Sequence, residues 1–306
     1  MLRFIGLLAL SATLATAQQE DRGRPIILLL HGRGMVDHDS TDTRKLWLDG
    51  LMSGSKRLAK GELVTSRDVR LVWYADVLDP RSGAGCAYDA NDARARRDSR
   101  SDPDLKNFVS LVGNFVGALT TMIADSESAT QLRALAGDAS FLSDATKRCA
   151  SERRLGDAIE RARREGRPVI LVAHSLGSVV AYDYLSTRTD TGVVQRLVTV
   201  GSMLGSDELR RLLIGGDSTD KFALPASVKS WFNVRNTGDM LAVQMPFGRD
   251  VLTTGPSDEP DQHEMVSYLR GEAGAAAILS GWCDAFVGKR PAACAAERWS
   301  GRAVER

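Results

Sequence analysis

The sequence predicts an α/β protein with a mainly parallel sheet, helices on both faces of that sheet and a helical insertion or cap. Short β-rich runs alternate with stretches of helical periodicity, which is the pattern that parallel strands with crossover helices produce. Two of these runs, Ile26 to Leu30 and Val169 to Val172, are continuously apolar. Such runs are typical of strands that are buried on both faces.

The predicted elements follow one another from residue 26 to residue 287. We expect strands at 26–30, 69–74, 169–172, 196–200 and 229–234, and helices at about 44–58, 151–165 and 273–287, with a further helix after the turn at Ser175. The stretch from about 78 to 150 interrupts this order and is longer than connections in compact domains. We therefore predict one domain over residues 18–306 with an insertion at about 78–150.

Apolar residues inside the insertion recur at spacings of three and four, which indicates one buried helix face. They are Leu105, Phe108, Val109, Val112, Phe115, Val116, Leu119, Met122 and Ile123. Two interpretations stay open, because periodicity shows that a face is buried but not against what. The helix is either a cap whose apolar face lines an acyl pocket or an additional core helix.

Residues 1–17 have the pattern of a secretory signal peptide, with a basic start, an apolar stretch and the ending Ala15-Thr16-Ala17. We expect cleavage after Ala17 and a periplasmic or secreted protein. An uncleaved anchor is the alternative, but the apolar stretch is shorter than the roughly 20 residues that a spanning helix needs. We therefore expect no stable membrane span.

The four cysteines fit an exported protein with two disulfides, since their even number comes without Cys-x-x-Cys spacing. Three pairings are possible. We favour Cys86 with Cys149, which would join the two ends of the insertion. Cys283 with Cys294 would then fasten the C-terminal tail.

Charge and composition give no reason to expect nucleic acid or an anionic membrane as partner, because the net charge is +1 at pH 7. The arginines between 94 and 100 alternate with aspartates, as in a solvated loop. Asp37, His38, Asp39 and Asp42 offer ligands for a hard cation, but their spacing does not match a calcium loop. We expect neither a metal nor a cofactor.

A buried strand, a tight turn and a helical pattern surround Ser175 in the segment Ala173-His174-Ser175-Leu176-Gly177. This is the layout of a nucleophile elbow, in which a strand delivers a serine to the top of a sheet. The small residues Ala173 and Gly177 leave room for the cramped turn, although the more common form has glycine at both places. The alternative role of Ser175 is an ordinary helix N-cap, which serine favours.

A serine hydroxyl is a poor nucleophile until a neighbouring base takes its proton. When the serine stands on such an elbow, the base follows it in the chain, after the acid. Of the four histidines, His31 and His38 precede Ser175 and His174 adjoins it, which leaves His263. We expect His31 and His174 to be structural. The alternative for His263 is a solvated loop histidine.

Asp239 is the favoured acid, because a β-rich run ends there in an Asn-Thr-Gly turn that would set the carboxylate at the carboxyl end of a strand. Asp207, Asp217 and Asp220 compete for the role, since they follow the strand at 196–200. A turn-capping function is the alternative for Asp239.

A glycine-rich loop after the strand at 26–30, His31-Gly32-Arg33-Gly34, would present backbone N–H groups to the serine. We expect the oxyanion hole to use the N–H of Gly32 or Arg33 together with that of Leu176. One such donor is typically worth about 3 kcal/mol of the reaction barrier.

These motifs resemble those of the α/β-hydrolase superfamily on its lipase and esterase side, and of a largely uncharacterised group of bacterial serine hydrolases within it. The resemblance rests on residues 31–34, 73–76, 173–183, 201–205, 231–239, 261–263 and 268–269. Met203 departs from relatives that have proline there, and Gly238-Asp239-Met240 departs from relatives in which an Asp-Pro pair is frequent. The resemblance implies the α/β-hydrolase fold and a Ser175, His263, Asp239 triad that hydrolyses carboxylic esters without a cofactor.

The ordered motifs therefore predict an exported serine hydrolase that acts on a small-molecule or lipid ester through an acyl-enzyme. Ser175 would attack the carbonyl, His263 would take and return the proton, and Asp239 would orient the imidazole. Thioester or amide hydrolysis and acyl transfer on the same triad stay open. A catalytically silent secreted binding protein is the alternative outside enzymes.

Overall fold

The computed structural model describes residues 21–58, 63–79, 82–89, 141, 144–206, 209 and 222–295. The strands are β1 (Ile26–Leu30), β2 (Val69–Val72), β3 (Val169–His174), β4 (Val194–Val200), β5 (Trp231–Asn236) and β6 (Arg249–Thr253). The α-helices are α1 (Ser40–Leu58), α2 (Ala75–Leu78), α3 (Ala145–Arg164), α4 (Leu176–Ser186), α5 (Met265–Arg270) and α6 (Glu272–Asp284). Short 3₁₀ turns lie at Ser66–Asp68 and Ala292–Ala295.

The six strands form one sheet in the order β2-β1-β3-β4-β5-β6, and all neighbours are parallel. The chain runs from β1 outward to β2 and then returns past β1 to β3. The order of strands therefore reverses between β1 and β3, whose carboxyl ends lie side by side with Leu30 opposite Ala173. Parallel sheets hold their ligands in the crevice outside such a reversal.

Helices cover both faces of the sheet. Successive residues of a strand point to opposite faces, so the continuously apolar strand β1 has side chains to bury on both. Ile26, Leu28 and Leu30 pack in one core with α3 and α4. Ile27 and Leu29 pack in the other core with α1, α5 and α6. The predicted α/β class, with strands buried on both faces, is confirmed.

The predicted elements are present, but several ends are shifted. α1 begins at Ser40 rather than near residue 44, and α3 begins at Ala145 rather than at 151. The early start of α3 has a local cause, since the Asp144 carboxylate accepts hydrogen bonds from the backbone N–H groups of Thr146 (2.9 Å) and Lys147 (3.3 Å). α2, α5 and β6 are not among the predicted elements, because they are too short for periodicity to reveal.

Both favoured disulfides are present, Cys86–Cys149 and Cys283–Cys294, each with its Cα atoms 5.5 Å apart. The first joins the segment 82–89 to α3, and the second joins α6 to the turn at Ala292–Ala295. Two disulfides fit an exported protein. Among the described residues, no helix is long and apolar enough to cross a membrane.

Several predictions fall outside the described residues. They concern the signal peptide at 1–17, the arginines between 94 and 100, the apolar helix face from Leu105 to Ile123, and the competing acids Asp207, Asp217 and Asp220.

Candidate active site

Ser175 lies in the turn between β3 and α4 with a backbone φ of 50° and ψ of −124°. It is the one non-glycine residue with positive φ in the described part of the chain. A residue held in this region costs roughly 1–3 kcal/mol and persists only where its surroundings impose it. The Ser175 N–H donates to the carbonyl of Val200 at 3.0 Å, which holds the turn against β4. Its side chain makes no capping hydrogen bond to α4, so the N-cap alternative finds no support.

Glycines allow three backbone segments to converge on this turn. A Cβ at Gly177 would lie 2.5 Å from the carbonyl oxygen of His31 and 2.9 Å from that of Leu30, so α4 packs directly on the end of β1. A Cβ at Gly32 would lie 2.9 Å from the Cβ of Ser175. The loop after β1 and the elbow after β3 are therefore in direct contact at the reversal of the sheet.

His263 and Asp239 come to Ser175 from the loops before α5 and after β5. The Ser175 hydroxyl lies 3.1 Å from Nε2 of His263. On the other side of the ring, Nδ1 of His263 lies 2.8 Å from Oδ2 of Asp239. Because a carboxylate only accepts, Nδ1 carries the proton and Nε2 is free to accept one from the serine. The structure thus brings together the three residues that the sequence predicts as a triad.

His263 and Asp239 stabilise each other's charged forms. Burial alone would lower the pKa of His263, but the hydrogen bond and the charge of Asp239 outweigh it, and the pKa is raised from 6.5. Burial would raise the pKa of Asp239, whose side chain is 1% exposed. The hydrogen bonds from His263, Tyr268 and the backbone of Leu241 reverse this effect, so the pKa is lowered and the carboxylate stays ionised.

Asn236, the last residue of β5, ties the loop of the acid to the loop of the histidine. Its amide nitrogen donates to the carbonyl oxygen of Gln262 at 3.0 Å and to Oε1 of the same residue at 2.9 Å. Its amide oxygen accepts from the N–H groups of Gly238 (3.3 Å) and Gly255 (3.1 Å). This buried side chain fixes the residues on either side of the Asp239–His263 contact. The sequence analysis misses it, because its partners become neighbours only in the fold.

Gly201, directly after β4, lies against the same contact. Its φ of +58° is one that side chains rarely adopt, and a Cβ there would lie 3.0 Å from Cε1 of His263 and 3.1 Å from Oδ2 of Asp239. The space for the imidazole therefore depends on the absence of a side chain. A glycine immediately after a buried strand is the sequence signal for this role.

His174 and His31 are buried next to the site and are neutral. His174 donates its Nε2–H to the backbone carbonyl of His263 at 2.7 Å, and burial lowers its pKa to about 3. His31 donates its Nδ1–H to the carbonyl of Gly32 at 2.5 Å and accepts from the Tyr74 N–H at 2.9 Å. Burial lowers the pKa of His31 to about 4. Both rings thus hold backbone of the site in place, as structural histidines do.

Of the expected oxyanion donors, Gly32 and Leu176 lie next to Ser175, and the role of all three residues stays a prediction. Leu176 occupies the first position of α4, where the backbone N–H has no intrahelical acceptor. His31 fixes the peptide between Gly32 and Arg33 by binding its carbonyl. In a trans peptide the N–H points away from the carbonyl. The Arg33 N–H is therefore directed to the side opposite His31.

A groove of about 720 Å³ lies elsewhere, between β6 and α6, and none of the three triad residues lines it. Arg196, on its wall, is held by Ser280 (2.7 Å) and Asp284 (3.2 Å). The groove thus lies apart from the arrangement around Ser175. Within the described residues, which include the segment from Asp37 to Asp42, no group of three or more His, Cys, Asp or Glu side chains is placed to hold a metal ion.

No family model, no curated protein and no solved structure matches this chain. Fold and site together define an α/β protein with a Ser-His-Asp arrangement at the carboxyl edge of a parallel sheet. Membership of the α/β-hydrolase superfamily stays a prediction from the sequence motifs.

Proposed function

We propose that this protein is an exported serine hydrolase that cleaves carboxylic esters through an acyl-enzyme on Ser175. One observation carries the proposal, the two consecutive hydrogen bonds that join Ser175 to His263 (3.1 Å) and His263 to Asp239 (2.8 Å). This sequence of contacts is what a serine needs to attack a carbonyl at neutral pH.

In the first step, the Ser175 oxygen bonds to the ester carbonyl carbon while its proton passes to Nε2 of His263. Asp239 stabilises the imidazolium that forms, in keeping with the raised pKa of His263. The positive φ of Ser175 is typical of a nucleophile elbow, and its hydroxyl lies 3.1 Å from Nε2 of that ring.

The carbonyl oxygen becomes an oxyanion, which the N–H of Leu176 and that of Gly32 or Arg33 would bind. The tetrahedral intermediate then collapses, the bond to the alcohol breaks, and His263 returns the proton to the departing oxygen. Water repeats the sequence on the acyl-enzyme, with His263 as base, and releases the acid and a free Ser175.

Assignment to the α/β-hydrolase superfamily belongs to this proposal. The parallel sheet with helices on both faces, the elbow after β3 and the chain order Ser175, Asp239, His263 support it. The strand order is not the usual order of that fold. We therefore base the function on the site, which is where function is decided.

The expected substrate is a small-molecule or lipid ester outside the cytoplasm. The two disulfides support export. The signal-peptide pattern of residues 1–17 points the same way. The mechanism requires no cofactor, because all proton transfers use the chain's own side chains.

A substrate panel tests this function. We expect the purified protein to hydrolyse carboxylic esters of some acyl length, and Ser175→Ala to reduce kcat by at least about 10⁴-fold. Ser186→Ala, which changes an exposed serine at the end of the same helix, is the matched control and should retain full activity.

The same panel separates the alternatives. Preferential turnover of thioesters or anilides, or transfer of the acyl group to an added alcohol, would reassign the bond or the acceptor but keep the triad. A folded protein that turns over none of these substrates would favour a secreted binding protein and contradict the proposal.

A further inference from the structure

Tyr268 approaches the site from α5 and is completely buried. Its hydroxyl donates a hydrogen bond to Oδ2 of Asp239. This is the same oxygen that faces Nδ1 of His263 at 2.8 Å. Two donors, one phenolic and one from the imidazole, therefore share a single carboxylate oxygen.

The other oxygen of Asp239 is also occupied, since Oδ1 accepts the N–H of Leu241 at 2.8 Å. A carboxylate with donors on both oxygens cannot rotate without losing a hydrogen bond. Burial and the charge of Asp239 raise the pKa of Tyr268 far above its ordinary value, so the hydroxyl keeps its proton and remains a donor wherever the enzyme works.

We infer that Tyr268 is a positioning residue that holds Oδ2 of Asp239 in line with His263 and, by accepting a share of its negative charge, sets the pH range over which His263 acts as a base. This inference rests on the proposed function. Tyr268 acts through other protein groups, because a completely buried side chain does not touch substrate. Besides Asp239, its hydroxyl contacts the backbone N–H of Asn236 at 3.4 Å. Tyr268 belongs to the motif residues at 268–269, but the sequence does not indicate its contact with Asp239.

Other titratable and charged groups around His263 also influence the pH at which His263 loses its proton. His174 faces the ring from β3 and is neutral. Asp261 binds the backbone N–H of His263 through Oδ1 at 2.8 Å, and Glu264 adds a nearby negative charge. His38, from the segment before α1, interacts with Glu264. Removal of the Tyr268 hydroxyl leaves all these groups in place, so a shift reports on the hydroxyl, which donates to Asp239 and lies 3.4 Å from the Asn236 N–H.

The test is the pH dependence of Ser175 labelling by a fluorophosphonate in the wild type and in Tyr268→Phe. Without the phenol, the full charge of Oδ2 acts on His263 and stabilises its protonated form. We expect labelling to persist and its acid limb to move upward by about half a unit to one unit of pH. Tyr184→Phe is the matched control, because the Tyr184 hydroxyl contacts Arg188. Its acid limb should equal that of the wild type.

Site-specific replacement of Tyr268 by 3-fluorotyrosine covers the case in which Tyr268→Phe does not fold. Fluorine strengthens the hydroxyl as a donor at almost unchanged size, so the acid limb should move to lower pH. An acid limb that stays at the wild-type pH in the fluorotyrosine protein, or in folded Tyr268→Phe, overturns the inference. Absence of labelling in the wild type is a different result, which overturns the proposed function itself.

Discussion

Nδ1 of His263 lies 2.8 Å from Oδ2 of Asp239, although the two residues are 24 positions apart and follow different strands. This contact decides which ring nitrogen carries the proton. Nδ1–H donates to the carboxylate, so Nε2 is the acceptor that faces Ser175 at 3.1 Å. The proton therefore moves from Ser175 to Nε2 and not from the ring to Ser175 in the first step.

Asp239→Asn should lower kcat for ester hydrolysis by about 10⁴-fold with little change in stability. The amide has nearly the size of the carboxylate, but its NH₂ group can donate to Nδ1 and stabilise the tautomer that has no acceptor at Nε2. Steady-state kinetics on the best ester of the panel measure the effect.

Asp258→Asn is the control for this change, because Asp258 is an exposed aspartate paired with Arg270. Its activity should equal that of the wild type. Asn variants of Asp207, Asp217 and Asp220 complete the comparison. If one of these abolishes activity while Asp239→Asn retains it, the acid has been assigned to the wrong strand end.

The acid limb of the pH profile should lie above pH 6.5. Burial opposes protonation of His263, but Asp239 outweighs burial and the pKa is raised from 6.5. A base must be neutral to accept a proton. We therefore expect kcat/KM to be at its maximum above the raised pKa of His263 and to fall as the pH falls through that pKa. His38→Asn, which changes an exposed histidine that interacts with Glu264, should shift the limb only slightly. A flat profile between about pH 5 and pH 8 contradicts the role of His263.

Gly201→Ala should reduce kcat by about 10²-fold, because its methyl group would lie 3.0 Å from Cε1 of His263 and would displace the imidazole. Gly192→Ala is the matched control. Gly192 also has a positive φ, +63°, but a Cβ there meets no atom within 4 Å. Both variants should lose about 1 kcal/mol of stability through backbone strain. Equal loss of activity in the two would show that strain, and not contact with His263, is responsible.

Removal of each disulfide by paired serine substitutions should destabilise the protein, and more so for the disulfide that closes the longer loop. The sequence separation is 63 for Cys86–Cys149 and 11 for Cys283–Cys294. Loop entropy gives about 4 and about 3 kcal/mol for the two bridges. Urea unfolding measures both values. A larger loss from the Cys283–Cys294 pair would show that loop entropy does not control their contribution.

The sequence predicts those features that depend on local pattern. β1 has the predicted bounds, Ile26–Leu30, because an unbroken apolar run ends at His31-Gly32. The order of Ser175, Asp239 and His263 in the chain names three residues that the structure brings together. Both disulfide pairs follow from the placement of the cysteines around the insertion and near the C-terminus.

The remaining features depend on which loops meet in space. Tyr268 and Asn236 act on Asp239 and on the His263 loop through contacts that no spacing in the chain encodes. β6 escapes prediction because its five residues include an exposed Leu252 rather than a regular alternation. α5 has six residues, too few for a helical period to stand out.

Fluorophosphonate treatment of the folded protein, followed by peptide mapping with mass spectrometry, tests the central claim most directly. The account predicts one phosphonyl adduct, on Ser175, which is absent from Ser175→Ala and from the unfolded chain, and which forms faster as His263 loses its proton. A folded wild-type protein in which Ser175 remains unmodified, or in which another residue carries the adduct, contradicts it.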